Sequence, residues 1–168
     1  MTKAERIAAM LNLKPLPMEG AFFTETYRCP GLIPAGALPA KYSGARSLCT
    51  AIYYLITPEA FSAMHRLLSD EIYHFYLGDP VDLLLLRPDG GFKVHSLGPD
   101  ILGGMEPQVV VPAGVWQGSR LSPGGEFALV GTTVAPGFDS ADYQHGRRNE
   151  LLRLCPEARE LISGLTEM

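Results

Sequence analysis

Through the middle of this chain, short runs of strand-forming residues follow at close intervals, each closed by glycine, proline or aspartate. Short apolar runs bounded by such turn residues predict strands. The runs are 71–77, closed by Gly78-Asp79-Pro80, then VDLLLLR (81–87), FKVHSLG (92–98), PQVVVPAG (107–114), VWQGSRLS (115–122) and GEFALVGTTV (125–134). Upstream, AFFTETYRC (21–29) and SLCTAIYYLIT (47–57) are aromatic and β-branched, the composition of strands. Between them, CPGLIPAGALPAKYSG (29–44) predicts a long irregular loop, of the kind that covers a pocket or an interface. Pro58 opens a predicted turn or helical turn, PEAFSAM (58–64). Helices are expected at both ends. Thr2 and Glu5 fit a capping box for a helix to Leu11, with Ala4, Ile7, Ala8 and Leu11 on one face. The tail from Arg147 to Leu165 is helical in character and broken at Pro156. Evenly spaced short strands between terminal helices predict one all-β domain over residues 1–168, a sandwich, jelly roll or small barrel.

Composition narrows the partners. With 46% apolar and 19% charged residues, the chain has the balance of a folded protein. The net charge is −4 and the only tight basic pair is Arg147-Arg148, so no nucleic-acid partner is expected. No apolar run is long enough to span a bilayer, and MTKAERIAAMLNLK has no signal-peptide core, so the expectation is a cytoplasmic protein with no membrane partner. Cys29, Cys49 and Cys155 are odd in number and form no CxxC, which predicts free thiols.

The candidate chemistry lies in HRLLSDEIYHFYLG, residues 65–78. Written as spacing, it is H-x-L-x-x-x-E-x-x-x-x-x-x-G. This resembles the first motif of the cupin family, with His65 on the first histidine, Glu71 on the glutamate, Gly78 on the glycine and Leu67 in the slot of the second histidine. Pro112-Ala113-Gly114-Val115-Trp116-Gln117 is similar to the second motif, with Gln117 in its histidine slot. The phrases SDEIYHFYLGDP, VPAGVW and APGFDSADY look like those of a cupin branch labelled predicted sugar epimerases. The resemblance covers nearly the whole chain and implies a cupin jelly roll, usually a homodimer. The branch has no settled reaction, and fold alone does not supply one.

A cupin metal site uses three histidines and a carboxylate. Two of the histidine slots here hold Leu67 and Gln117, and leucine cannot ligate. A divalent transition metal, held by His65, Glu71, Gln117 and a re-aimed His74, is therefore the less favoured reading. The favoured one has no cofactor. The resemblance to metal-free sugar epimerases implies His65 as general base, with Glu71 orienting it and Tyr73, two residues on and so on the same face, returning a proton. Asp139 and Asp142 are further candidates for a carboxylate beside the histidine. Trp116, Gln117 and His74 are expected to bind the substrate, a small molecule such as a sugar or nucleotide-sugar. On regular alternation His74 faces away from Glu71, unless a bulge turns it. A non-catalytic ligand-binding dimer is the remaining alternative. His95 and His145 are expected at the surface.

Overall fold

The computed structural model describes residues 1–17 and 19–166. Helix α1 (Lys3–Met10) precedes thirteen strands: β1 (Lys14–Pro15), β2 (Phe22–Arg28), β3 (Leu32–Ile33), β4 (Arg46–Ser47), β5 (Thr50–Ile56), β6 (Ser62–Leu67), β7 (Asp70–Gly78), β8 (Val81–Leu86), β9 (Phe92–Leu97), β10 (Gln108–Val111), β11 (Trp116–Leu121), β12 (Ala128–Ala135) and β13 (Tyr143–His145). Helices α2 (Arg148–Leu154) and α3 (Arg159–Gly164) follow, separated by a 3-10 turn that starts at Pro156. One sheet runs β1-β2-β5-β12-β7-β10 and the other β13-β6-β11-β8-β9, with every ladder in both antiparallel.

The two sheets pack as a sandwich around Tyr54, Ile56 and Val130 from the first and Val81, Leu83, Leu85 and Leu121 from the second. Helices cover the outer faces. On the first sheet, Ala4, Ile7, Ala8 and Leu11 of the α1 region pack over Leu55 and Leu129, and the Thr2–Glu5 capping box forms as the sequence predicts. On the second, Leu151, Ile162 and Leu165 cover Met64, Leu84, Leu86 and Trp116. This explains the unbroken leucines of β8. Leu83 and Leu85 enter the sandwich, whereas Leu84 and Leu86 meet the C-terminal helices, so both faces are buried. No helix among the described residues is long and apolar enough to cross a membrane.

Three predicted boundaries move. PEAFSAM is not a turn throughout: β6 begins at Ser62, because that segment pairs with β11 on one side and β13 on the other. The strand expected at 125–134 starts at Ala128, since Asp79 Oδ2 accepts from the backbone N–H groups of Glu126 and Phe127 and holds them in a turn. The 29–44 loop contains β3 and a short 3-10 turn at Ala35–Ala37. Just beyond it, Arg46 donates from Nε to Asp142 Oδ2 at 2.7 Å and from Nη2 to Oδ1 at 2.5 Å, with both side chains 3% exposed.

Gly78 ends β7 with φ +104°, and a Cβ there would lie 2.3 Å from the Phe127 carbonyl oxygen. Both the dihedral and the contact demand glycine. Gly78→Ala is therefore expected to destabilise the fold by about 2 kcal/mol or more in urea unfolding.

Candidate functional site

Pleating decides which side chains enter the sandwich. Along β7, Glu71 and Tyr73 face inward and are buried. Two rows of inward residues cross the first sheet. Arg28, Thr50, Val134 and Glu71 are register partners in turn, and beside them run Glu25, Ile52, Thr132 and Tyr73. These eight residues line a cavity of about 200 Å³, together with Leu16, Glu19, Phe23, Tyr54, Leu67 and Phe138.

His65 reaches the interior through a bulge. In β6, Gln117 of β11 pairs with His65 but Ser119 pairs with Ser62, so Ala63 and Met64 together oppose one residue. The extra residue puts Ser62 and His65, three apart, on the inner side, while Met64 points to the C-terminal helices. The bulge also fixes the imidazole. Nδ1–H donates to the Ala63 carbonyl at 2.8 Å, which leaves Nε2 pointing inward. Nε2 lies 3.9 Å from Glu19 Oε1 and 4.0 Å from Glu71 Oε2. The Ala63 N–H donates to the Glu19 carbonyl, so the same bulge anchors Glu19. The Tyr143 ring stacks on the imidazole, with centroids 5.2 Å apart and 19° between planes.

The carboxylates are closely held. Tyr54 donates its hydroxyl to Glu19 Oε2 at 3.0 Å, and Gln117 Nε2 donates to Glu71 Oε2 at 2.8 Å. Burial pushes the Glu71 carboxyl up from its ordinary value, and Glu19 adds to this, while His65 and the Gln117 amide pull it back. Burial also raises the phenols of Tyr54 and Tyr73 well above their ordinary value, so both stay protonated near neutrality. At the cavity mouth Arg28 donates to both carboxylate oxygens of Glu25, at 3.0 and 2.7 Å, and to the Phe138 carbonyl at 3.1 Å. The donor set does not fit the metal that a cupin commonly holds. Leu67 lines the cavity without a ligating atom, and Gln117 turns its amide N–H, not its oxygen, to Glu71. Among the described residues no three His, Cys, Asp or Glu side chains are placed to hold an ion together.

The expected site residues therefore separate. His65, Glu71, Tyr73 and Gln117 converge on the interior, though His65 stands behind Glu19 and Glu71 and is not part of the cavity wall. His74 does not join them. Pairing on both sides of β7 is regular from Glu71 to His74, so no bulge turns it inward. Its ring meets Thr133 and Gln108 on the outer face. Trp116, adjacent to Gln117, must take the opposite face. It packs against the C-terminal helices, with the Arg66 guanidinium 4.5 Å from its ring centroid. Asp142 is bound to Arg46, and Asp139 accepts from the Ala141 N–H, so neither serves His65. His145 is exposed as expected, but His95 is largely covered and bonded to Glu106 at 2.7 Å. Sequence reasoning missed Glu19, Tyr54, Ser62 and Tyr143. Glu19 sits in a Pro-rich connection with no periodicity to mark it. Tyr54 does fall on the inward phase of its strand.

Comparison with known proteins agrees with this architecture. A family model described as Cupin superfamily (DUF985) matches residues 5–146. An uncharacterized protein of Saccharomyces cerevisiae is 34% identical over 133 residues, 74% of this chain and 66% of that protein, so this chain spans just under two thirds of its relative's length. The solved structure of a hypothetical protein from Leishmania major superposes with a TM-score of 0.88 at 27% identity, over 99% of this chain and 100% of that one. A protein from Shewanella oneidensis gives 0.84 at 29% identity, over 99% of each chain.

The direction of the Glu71 shift sets a pH dependence. A buried carboxyl whose folded value is raised holds a proton that the unfolded chain releases. Its stabilising contribution is complete below the unfolded value near 4.5 and is lost as pH rises through the folded one. Glu71→Gln keeps a neutral partner for Gln117 and has no charge to bury. The melting temperature of this variant relative to the wild type should therefore climb as pH is raised from 4.5 towards 8, measured by thermal denaturation across that range.

Proposed function

This chain belongs to the DUF985 family of the cupin superfamily, and from that premise we propose that it is a small-molecule cupin that moves protons without a metal, the chemistry of an epimerase or isomerase. One observation carries the reading: two carboxylates, Glu19 and Glu71, face a partly open cavity and flank the inward nitrogen of a buried histidine. Burial of Glu71 brings its proton affinity closer to neutrality, as a group that must both take and return a proton requires.

The roles divide by position. Glu71 is in the cavity wall and takes the proton next to a substrate carbonyl. His65, behind it, is held by the bulge carbonyl and steadies the charge that Glu71 gains and loses. This partition favours Glu71 over His65 as the base that touches substrate. Tyr73, protonated and in the same wall, is the donor to the developing oxyanion in this reading. A cavity of about 200 Å³ is below the roughly 300–1,000 Å³ of pockets for drug-sized ligands. It favours a single compact molecule over a nucleotide-sugar.

The test is solvent exchange. A panel of small aldoses, ketoses and amino ketones is incubated with the protein in D₂O and followed by proton NMR. The wild type is expected to incorporate deuterium at the carbon beside the carbonyl of at least one compound. Glu71→Gln should slow this by about 10²-fold or more with the fold retained. Exchange that persists in Glu71→Gln, or none above buffer across the panel, would overturn the assignment.

A further inference from the structure

We infer that the cavity is built for a small amphipathic amine, a compact apolar body carrying one ammonium group, with Glu19 as the anchor for that group. The inference rests on the reading of this cavity as the ligand site and not on proton transfer.

The walls argue first. Leu16, Phe23, Ile52, Leu67, Val134 and Phe138 bring apolar side chains to the wall, and most of the cavity's surface is apolar. A polyol placed there would turn hydroxyls towards carbon, and each buried hydroxyl without a partner costs about 1–3 kcal/mol. An apolar body gains from the same burial. At the β7 end, Glu19 and Glu71 offer carboxylate oxygens and Tyr73 a hydroxyl. The Tyr54 hydroxyl already donates to Glu19, and the Gln117 amide to Glu71. The two carboxylates suit a ligand whose polar group is a donor.

Charge then selects among donors. The groups facing this end are Glu19, Glu71 and His65, with Glu25 and Arg28 at the mouth. Arg28 is bound through both carboxylate oxygens of Glu25, so this pair adds no net charge. Inside, two carboxylates stand against at most one imidazolium. With both carboxylates ionised the balance is not positive, which disfavours a phosphate or carboxylate and favours an ammonium. Phe23 and Phe138 add aromatic side chains to the wall, which suit either the cation or an aromatic body. An ammonium held on Glu19 leaves Glu71 free to exchange its proton.

Isothermal titration calorimetry at pH 7 with phenethylamine, 2-phenylethanol, phenylacetate and glucose separates body from head group. Phenethylamine is expected to bind one per chain, the alcohol at least about 10-fold more weakly, and phenylacetate and glucose not at all. Glu19→Gln should weaken the amine about 10-fold or more and leave the alcohol unchanged, with folding checked by circular dichroism. Leu67→Phe, which adds bulk to the cavity wall without changing its charge, should abolish binding of both. Tighter binding of phenylacetate or glucose than of the amine would overturn the inference. So would amine binding indifferent to both substitutions, or no binding by any probe. No probe is turned over, so these outcomes are independent of the deuterium-exchange result.

Discussion

Two carboxylates and an imidazole share the interior of a largely apolar sandwich, and much of the architecture is arranged around keeping them there. An ionised carboxylate away from water costs several kcal/mol unless it is paired or hydrogen-bonded. Glu71 has Gln117, Glu19 has Tyr54, and His65 lies between them at about hydrogen-bond distance plus one ångström from each. The helices at both ends of the chain cover the outer faces of the two sheets, so the polar groups sit in the middle layer with apolar packing on either side. Such a cluster tolerates little change at any one member, because each partner removed leaves another buried group without compensation.

Bulges, not motif spacing alone, bring these groups together. A regular strand cannot turn residues three apart to the same side. In β6 the extra residue puts Ser62 and His65 on one face and presents the Ala63 carbonyl to the imidazole. In β2 a second register shift, between Glu25 and Tyr27, does the same for Glu25 and Arg28, which then meet as an ion pair at the cavity mouth. Local departures from pairing are thus used at both the floor and the entrance of the cavity.

The fold was largely legible in the sequence. Alternation located most of the long strands, the Thr2–Glu5 pair located the first helix, and Pro156 marked the break in the tail. In the site, motif spacing pointed to His65 and Gln117, and the pleat's alternation to the rest of what was legible. Glu71 and Tyr73 share a phase, and both are inside. Trp116 and Gln117 are neighbours, so the pleat alone forbids both from facing one cavity, and His74 is out of phase with Glu71. What could not be read depends on tertiary register. The β6 bulge is defined by its pairing with β11, and Glu19 is placed by a backbone bond to that bulge. Tyr143 reaches His65 because its short strand pairs with β6 from the other side, next to an aspartate already bound to Arg46. None of these relations is written in a local pattern.

The stacking of Tyr143 on His65, with Glu19 on the imidazole's inward nitrogen, also bears on how the protein comes into being. Segments from near both ends of the chain close over a residue in its middle. Contacts so distant in sequence form late and slowly, because the loops they close must be ordered first. During synthesis, a chain that has emerged only as far as β12 already holds most of both sheets but not the aromatic cover of its histidine. The imidazole's cover is therefore completed only when the last strand docks on β6, and an incompletely made molecule presents the cavity without it.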